Sequence, residues 1–255
     1  MPDRDGIYRK RTDVERAYRS TVAKDLLQYR VAVGESDLWI QGEHDHRLEI
    51  EHFLKFYRRQ IKGYIDAHPG FLKALTPWPE DSQAPEPVQL MIEAAKLTGV
   101  GPMAAVAGTI AAMIGREFNH QTYPELIIEN GGDIYLRSRK ERVIGVFVGL
   151  NSPFSGKLGV LFQPQPKGLG VCTSSGTLGP SLSFGKADAV MVTASDPAIA
   201  DAAATAGANQ VQNSSDLPKA LDFLRAIQGI RGVLIIKDQK IAIWGEIELV
   251  PINVS

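Results

Sequence analysis

The stretch Leu126-Ile127-Ile128-Glu129-Asn130-Gly131-Gly132-Asp133-Ile134-Tyr135-Leu136 decides the fold class. Two apolar runs flank four residues of turn chemistry, and Asn-Gly supplies the positive φ that tight hairpins need, so an antiparallel strand pair is predicted. On its C-terminal side, further strands are expected over 143–149, 159–162 and 169–173, separated by Gly, Pro or charged turns. On its N-terminal side, 29–33 and 37–41 alternate apolar and polar residues around Gly34-Glu35-Ser36, a second antiparallel pair. Ile50, Leu54, Tyr57, Ile61 and Tyr64 recur at helical spacing and predict an amphipathic helix over 45–66. Four prolines make 76–87 an exposed connector, and small-residue helices follow over 88–97 and 102–116. The last third reads as a strand over 189–193, helices over 197–208 and 217–227, and a hairpin of 232–237 with 240–250. Strands and helices alternate without a regular βαβ rhythm, which makes the chain α+β, mainly antiparallel sheets flanked by helices. The reading gives a single domain over 1–255, with two subdomains joined near 76–87.

The 255 residues are 44% hydrophobic and 22% charged, the composition of a globular chain. A formal net charge of -1, with no long run of one sign, argues against nucleic acid as the main partner. The single cysteine, Cys172, excludes an intrachain disulfide and any site of several thiolates, which suits a reducing compartment. No apolar signal core follows the charged residues of 1–12, so a cytoplasmic location is expected. The uncharged stretch 97–114 is built largely of Gly, Ala and Thr with Pro102 inside it, and reads as a buried helix rather than a membrane span.

Several familiar site motifs are absent. The glycine-rich 179–186 has one residue too many for a P-loop, and Ala187 follows where Ser or Thr should hold magnesium. The sequence contains no dinucleotide-binding Gly-x-Gly-x-x-Gly after a strand, no His-Glu-x-x-His and no Gly-x-Ser-x-Gly. Three stretches remain. In the 130–133 turn, Gly131 and Gly132 allow close approach to the backbone, while Asn130 and Asp133 offer a donor and an anion. The turn is equally an ordinary hairpin. The segment Gly170-Val171-Cys172-Thr173-Ser174-Ser175-Gly176-Thr177-Leu178-Gly179 presents hydroxyls and free N–H groups suited to a phosphate or the edge of a ring, or else is a plain polar loop. On the third, Asp196 and Pro197 start a helix that sets Asp201 and Thr205 four apart among alanines. That pair is a partial oxygen shell for magnesium, or a side-chain hydrogen bond on an ordinary helix.

In this order, over 101–209, these stretches resemble the ApbE family of magnesium-dependent flavin transferases, and most of all its shorter bacterial and archaeal members. Val106-Ala107-Gly108 stands at the family's Ala-Lys-Gly, Asn130-Gly131-Gly132-Asp133 at its Asn-x-Gly-Gly-Asp, Thr173-Ser174-Ser175-Gly176 at its Ser-Gly loop, and Asp201-Ala202-Ala203-Ala204-Thr205 at its Asp-Ala-x-Ala-Thr. The resemblance implies a T-fold-like architecture and a site for FAD. Asn130, Gly131, Gly132, Asp133, Thr173, Ser174, Ser175 and Gly176 would hold the nucleotide. Asp201, Thr205 and the Ala107 carbonyl would hold Mg2+ beside the pyrophosphate. FMN would then pass from FAD to a hydroxyl of an acceptor protein, or FAD would be hydrolysed to FMN and AMP; a homodimer is left open.

The chain departs from the family in two places. Gly179-Pro180-Ser181-Leu182-Ser183-Phe184 replaces the histidine-led motif, all five histidines (His44, His46, His52, His68 and His120) precede the site, and Gly108 takes the place of the lysine. Asp133, or a distant carboxylate, is the candidate catalytic base in their place. The alternative is a catalytically inactive flavin- or nucleotide-binding module, or a protein-interaction module, on the same scaffold.

Overall fold

The computed structural model describes residues 25–148, 152–176 and 185–252; the 1–12 and 177–184 stretches considered above lie outside them. Eight strands form one sheet in the order β1-β2-β3-β4-β7-β8-β9-β10, antiparallel throughout. They are β1 (Leu27–Val33), β2 (Ser36–Gly42), β3 (Leu126–Asn130), β4 (Asp133–Ser138), β7 (Gln165–Ser174), β8 (Ala189–Ala194), β9 (Ile230–Lys237) and β10 (Lys240–Gly245). A second sheet of three strands runs β11-β6-β5, from β5 (Arg142–Gly145), β6 (Leu158–Phe162) and β11 (Glu248–Pro251). The helices are α1 (Arg47–Ala67), α2 (Pro69–Lys73), α3 (Glu86–Thr98), α4 (Val106–Glu117), α5 (Pro197–Gln210) and α6 (Leu217–Arg225). The α+β class expected from the hairpin at 126–136 is the observed one.

Strand alternation sorts the large sheet into two faces. Val31, Leu38, Ile40, Leu126, Ile128 and Tyr135 pack with α1, α3 and α4 on one face. On the other, Ile127, Ile134, Leu136, Val171 and Met191 pack against Ile144, Val160 and Phe162 of the small sheet. The molecule is thus layered as helices, large sheet, small sheet. Each apolar position read at helical spacing in α1 is buried: Ile50, Leu54, Tyr57, Ile61 and Tyr64.

Four boundaries differ from expectation. The connector ends at Pro85, because Glu86 and Pro87 already form the first turn of α3, where a missing N–H costs nothing. The helix expected over 102–116 opens as a 3-10 turn, Pro102–Ala105, before α4 begins. The strand over 143–149 ends at Gly145, although Val146 N–H still donates to the Leu158 carbonyl at 2.8 Å. The strand over 240–250 is two: Gly245, with φ of 74°, turns the chain so that β11 joins the small sheet. No described helix is long and apolar enough to cross a membrane; only α3 taken with 102–117 passes on length and composition, and that pair is bent by 107°.

A buried ion-pair network ties the two sheets. Arg142 on β5 donates through Nη2 to Glu125 (2.7 Å), through Nη1 to Asp25 (2.6 Å) and through Nε to the Ser138 hydroxyl (3.0 Å). Burial alone would raise the Glu125 carboxyl, yet Arg142, Ser138 and the Arg139 N–H hold it below its ordinary 4.5. A depressed folded value means that this stabilisation is present above about pH 4.5 and is lost as pH falls through the folded value. Arg142→Ala leaves Glu125 buried and uncompensated, and should cost about 3–5 kcal/mol in denaturant unfolding at neutral pH. A midpoint unchanged from wild type would show that the network contributes nothing.

Candidate active site

The site forms where the 130–133 turn, the start of α4 and the middle of α5 meet on the helix-bearing face of the large sheet. Gly131 (φ 69°) and Gly132 (φ 107°) close the turn in conformations that L side chains rarely adopt. Asp133 opens β4 directly opposite Cys172 of β7, and Asn130 ends β3 opposite Asp133. The Asn130 Nδ2 donates to the Ala107 carbonyl at 3.2 Å, pinning the turn to the first residues of α4.

Helix α5 begins in the way its sequence predicts. The Asp196 carboxylate accepts from the Ala198 N–H at 2.9 Å, and Pro197 occupies the first turn. One turn on, the Asp201 carboxylate Oδ2 accepts from the Gly108 N–H at 2.8 Å. This contact requires glycine. A Cβ on Gly108 would overlap the Pro197 carbonyl and lie 2.8 Å from the Asp201 Cβ. Gly108, read from sequence only as a departure from Ala-Lys-Gly, is the place where α4 and α5 touch. The signal available was its position in a run of small residues facing an alanine-rich helix.

The electrostatics are unusual for a hairpin turn. Burial pushes the Asp133 carboxyl well above its ordinary value, and the negative Asp201 and Glu129 push it further, against hydrogen bonds from Cys172 and the Thr173 N–H. Burial likewise raises Asp201 to about 7, against hydrogen bonds from the Gly108 and Ala107 N–H groups. No cation figures among these influences on either group. Two carboxylates that resist ionisation side by side favour a proton or a metal ion between them. The Cys172 thiol is raised by its burial and by both aspartates, and it donates to the Pro197 carbonyl at 3.5 Å. Burial beside two carboxylates disfavours the thiolate that a nucleophile requires.

The remaining candidates divide. Thr205, 8% exposed, lies one turn beyond Asp201 on α5. The Ser174 side chain shares the helix-bearing face with Cys172, and its buried hydroxyl has no hydrogen-bond partner among the described residues. Thr173 pairs with Met191, whose side chain faces the small sheet, so the Thr173 hydroxyl points away and only its backbone reaches Asp133. Ser175 donates to the Ala187 carbonyl at 3.5 Å, and the Gly176 N–H reaches the same oxygen at 2.9 Å. His44 and His46 sit with Tyr123, and His68 stacks on Tyr64, so these three are aromatic packing partners.

The donor set fits a hard divalent cation in kind: Asp201 offers a carboxylate, Thr205 a hydroxyl and Ala107 a carbonyl oxygen. Among the described residues no group of three or more His, Cys, Asp or Glu side chains could hold a metal, so a cation here would depend on the Thr205 hydroxyl and the Ala107 carbonyl as well as Asp201.

A family model described as "AbpE bacteria" matches residues 19–243. The UPF0280 protein of Methanosarcina acetivorans is 40% identical over 195 residues, 76% of each chain. That of Methanosphaerula palustris is 45% identical over 190 residues, 74% of this chain and 78% of its own. Among solved structures, the flavin transferase ApbE from Vibrio cholerae superposes with a TM-score of 0.56 at 12% identity, covering 90% of this chain and 98% of that one. At that identity the likeness is one of fold.

Proposed function

The chain belongs to the AbpE bacteria family, and from that premise we propose that it binds FAD with Mg2+ at the junction of the 130–133 turn, α4 and α5, and transfers or hydrolyses the FMN half. The observation that carries this reading is the pair of carboxylates, buried Asp201 and half-buried Asp133, both raised and neither compensated by a cation among the described residues.

In this reading Asp201, Thr205 and the Ala107 carbonyl hold the metal, and Asn130, Gly131, Gly132, Ser174, Ser175, Gly176 and the Thr173 backbone position the nucleotide. A bound Mg2+ would offset the charge that builds on the pyrophosphate oxygens and on departing AMP. Asn130 keeps the Ala107 carbonyl oriented, and the Gly108 N–H fixes the Asp201 carboxylate with one oxygen left for the ligand. Asp133, which keeps part of its surface exposed, accepts the proton of the attacking hydroxyl. The oxygen of that hydroxyl bonds to the FMN phosphorus as the bond from phosphorus to the AMP oxygen breaks. An acceptor protein supplies the hydroxyl in transfer, and water supplies it in hydrolysis.

One observation favours a second reading, FAD binding without turnover: no histidine occurs after His120, so the family's histidine-led base has no counterpart. Incubating the protein with FAD and Mg2+ and separating the nucleotides by chromatography decides between them. AMP with an equal amount of free FMN supports hydrolysis, and AMP with flavin bound covalently to an added hydroxyl-bearing acceptor supports transfer; saturable FAD binding without AMP, acceptor present or absent, supports the second reading. No binding removes both.

A further inference from the structure

At the other end of the same sheet face lies a cavity of about 420 Å³ whose wall is dominated by cations. Its charged lining is Arg116, Arg137 and Lys167, against one carboxylate, Glu117, and His120 lies beside them. Arg137 lies four residues along β4 from Asp133, about 14 Å at the rise of an extended strand. The Glu117 carboxylate already accepts from the Tyr57 hydroxyl, and Arg116 pairs with Asp196 at 3.0 Å. Exposed Lys167 has no ion pair among the described residues.

Arg137 is the unusual member. Only 2% exposed, it spends a single nitrogen on the protein: Nη1 donates to the carbonyls of Phe118 (2.8 Å) and Gly115 (3.3 Å) at the C-terminal end of α4. The guanidinium also lies 5.7 Å from the centre of the Tyr135 ring, which helps to fix its plane. Its buried Nε and Nη2 have no hydrogen-bond partner among the described residues. In a planar guanidinium those two N–H groups point the same way and form the fork that grips two oxygens of a carboxylate or phosphate. Capping the helix explains Nη1 and nothing about the other edge. Two buried, unpaired donors on a charged group are costly unless a ligand completes them.

We propose that this cavity is an anion-binding site, in which the Arg137 side chain turns its buried Nε/Nη2 edge to grip a small-molecule carboxylate or phosphate, with Lys167 adding positive charge at the mouth. The proposal is independent of the flavin reading. It is tested by isothermal titration of the full chain at low ionic strength with inorganic phosphate and, separately, with succinate, using chloride as the control. At least one should saturate at a 1:1 ratio with a dissociation constant of about 1 mM or tighter. Binding of phosphate alone assigns the site to phosphorylated ligands, and of succinate alone to carboxylates. Arg137→Lys keeps the charge but loses the fork, and should weaken binding at least tenfold. Exposed Lys167→Gln should weaken it about threefold without moving the melting temperature, and it decides the matter if Arg137→Lys fails to fold. Asp201→Asn should bind as wild type does, which separates this site from the flavin site. No saturable heat with either anion, or wild-type affinity in Lys167→Gln and in a folded Arg137→Lys, overturns the proposal.

Discussion

Asp201→Asn is expected to slow AMP release from FAD and Mg2+ at least tenfold, a barrier increase of about 1.4 kcal/mol. The amide keeps the volume of the side chain, and its oxygen can still accept from the Gly108 N–H that now bonds Oδ2. What disappears is the negative charge. Since Asp201 is one of the charges that push Asp133 up, its removal relieves a repulsion inside the fold. Without divalent cations the variant should therefore melt no lower than wild type, while the rise in melting temperature produced by adding Mg2+ should vanish. Scanning fluorimetry with and without the metal reads both quantities. A variant that keeps the wild-type rate and the wild-type Mg2+ response would remove Asp201 from the metal shell.

The second large effect is expected at Gly108. A valine there places its Cβ against the Pro197 backbone and within 2.8 Å of the Asp201 Cβ, and backbone cannot swing aside as a side chain can. Overpacking of this kind costs about 1–3 kcal/mol, and forcing α4 and α5 apart also displaces the N–H that fixes Asp201. Gly108→Val should thus lower both stability and FAD turnover. Gly63→Ala is the matched control: it lies within α1 with nothing within 4 Å of an added Cβ, so it should gain about 0.5–1 kcal/mol and leave turnover alone. Equal unfolding midpoints for Gly108→Val and wild type would show that the helices do not need this contact.

Features written into neighbouring residues were legible in the sequence. The β3–β4 hairpin followed from Asn130-Gly131 between two apolar runs, and the buried stripe of α1 followed from its 3.6-residue spacing. Features set by distant packing were not. Nothing local to 240–250 announces that β11 leaves the large sheet to pair with β6, because that choice is made by 158–161. The role of Gly108 depends on a helix about ninety residues away, with which it shares one hydrogen bond. Local residue chemistry drew attention to the 130–133 turn and to Asp201, but strand alternation, visible only once β7 is paired with β8, turns the Thr173 hydroxyl to the opposite face and leaves Ser174 on the face of Cys172. Arg137 lies just past the apolar run that ends at Leu136, and its burial and unpaired edge emerge only from the packing of α4.

The most direct test of the account is FAD binding followed by flavin fluorescence, with Mg2+ present and with the metal chelated, in wild type and Asp201→Asn. The account predicts saturable binding by wild type that weakens at least tenfold on chelation, and no response to Mg2+ in the variant. Equal affinity under all four conditions, or no binding by wild type with Mg2+, would contradict it.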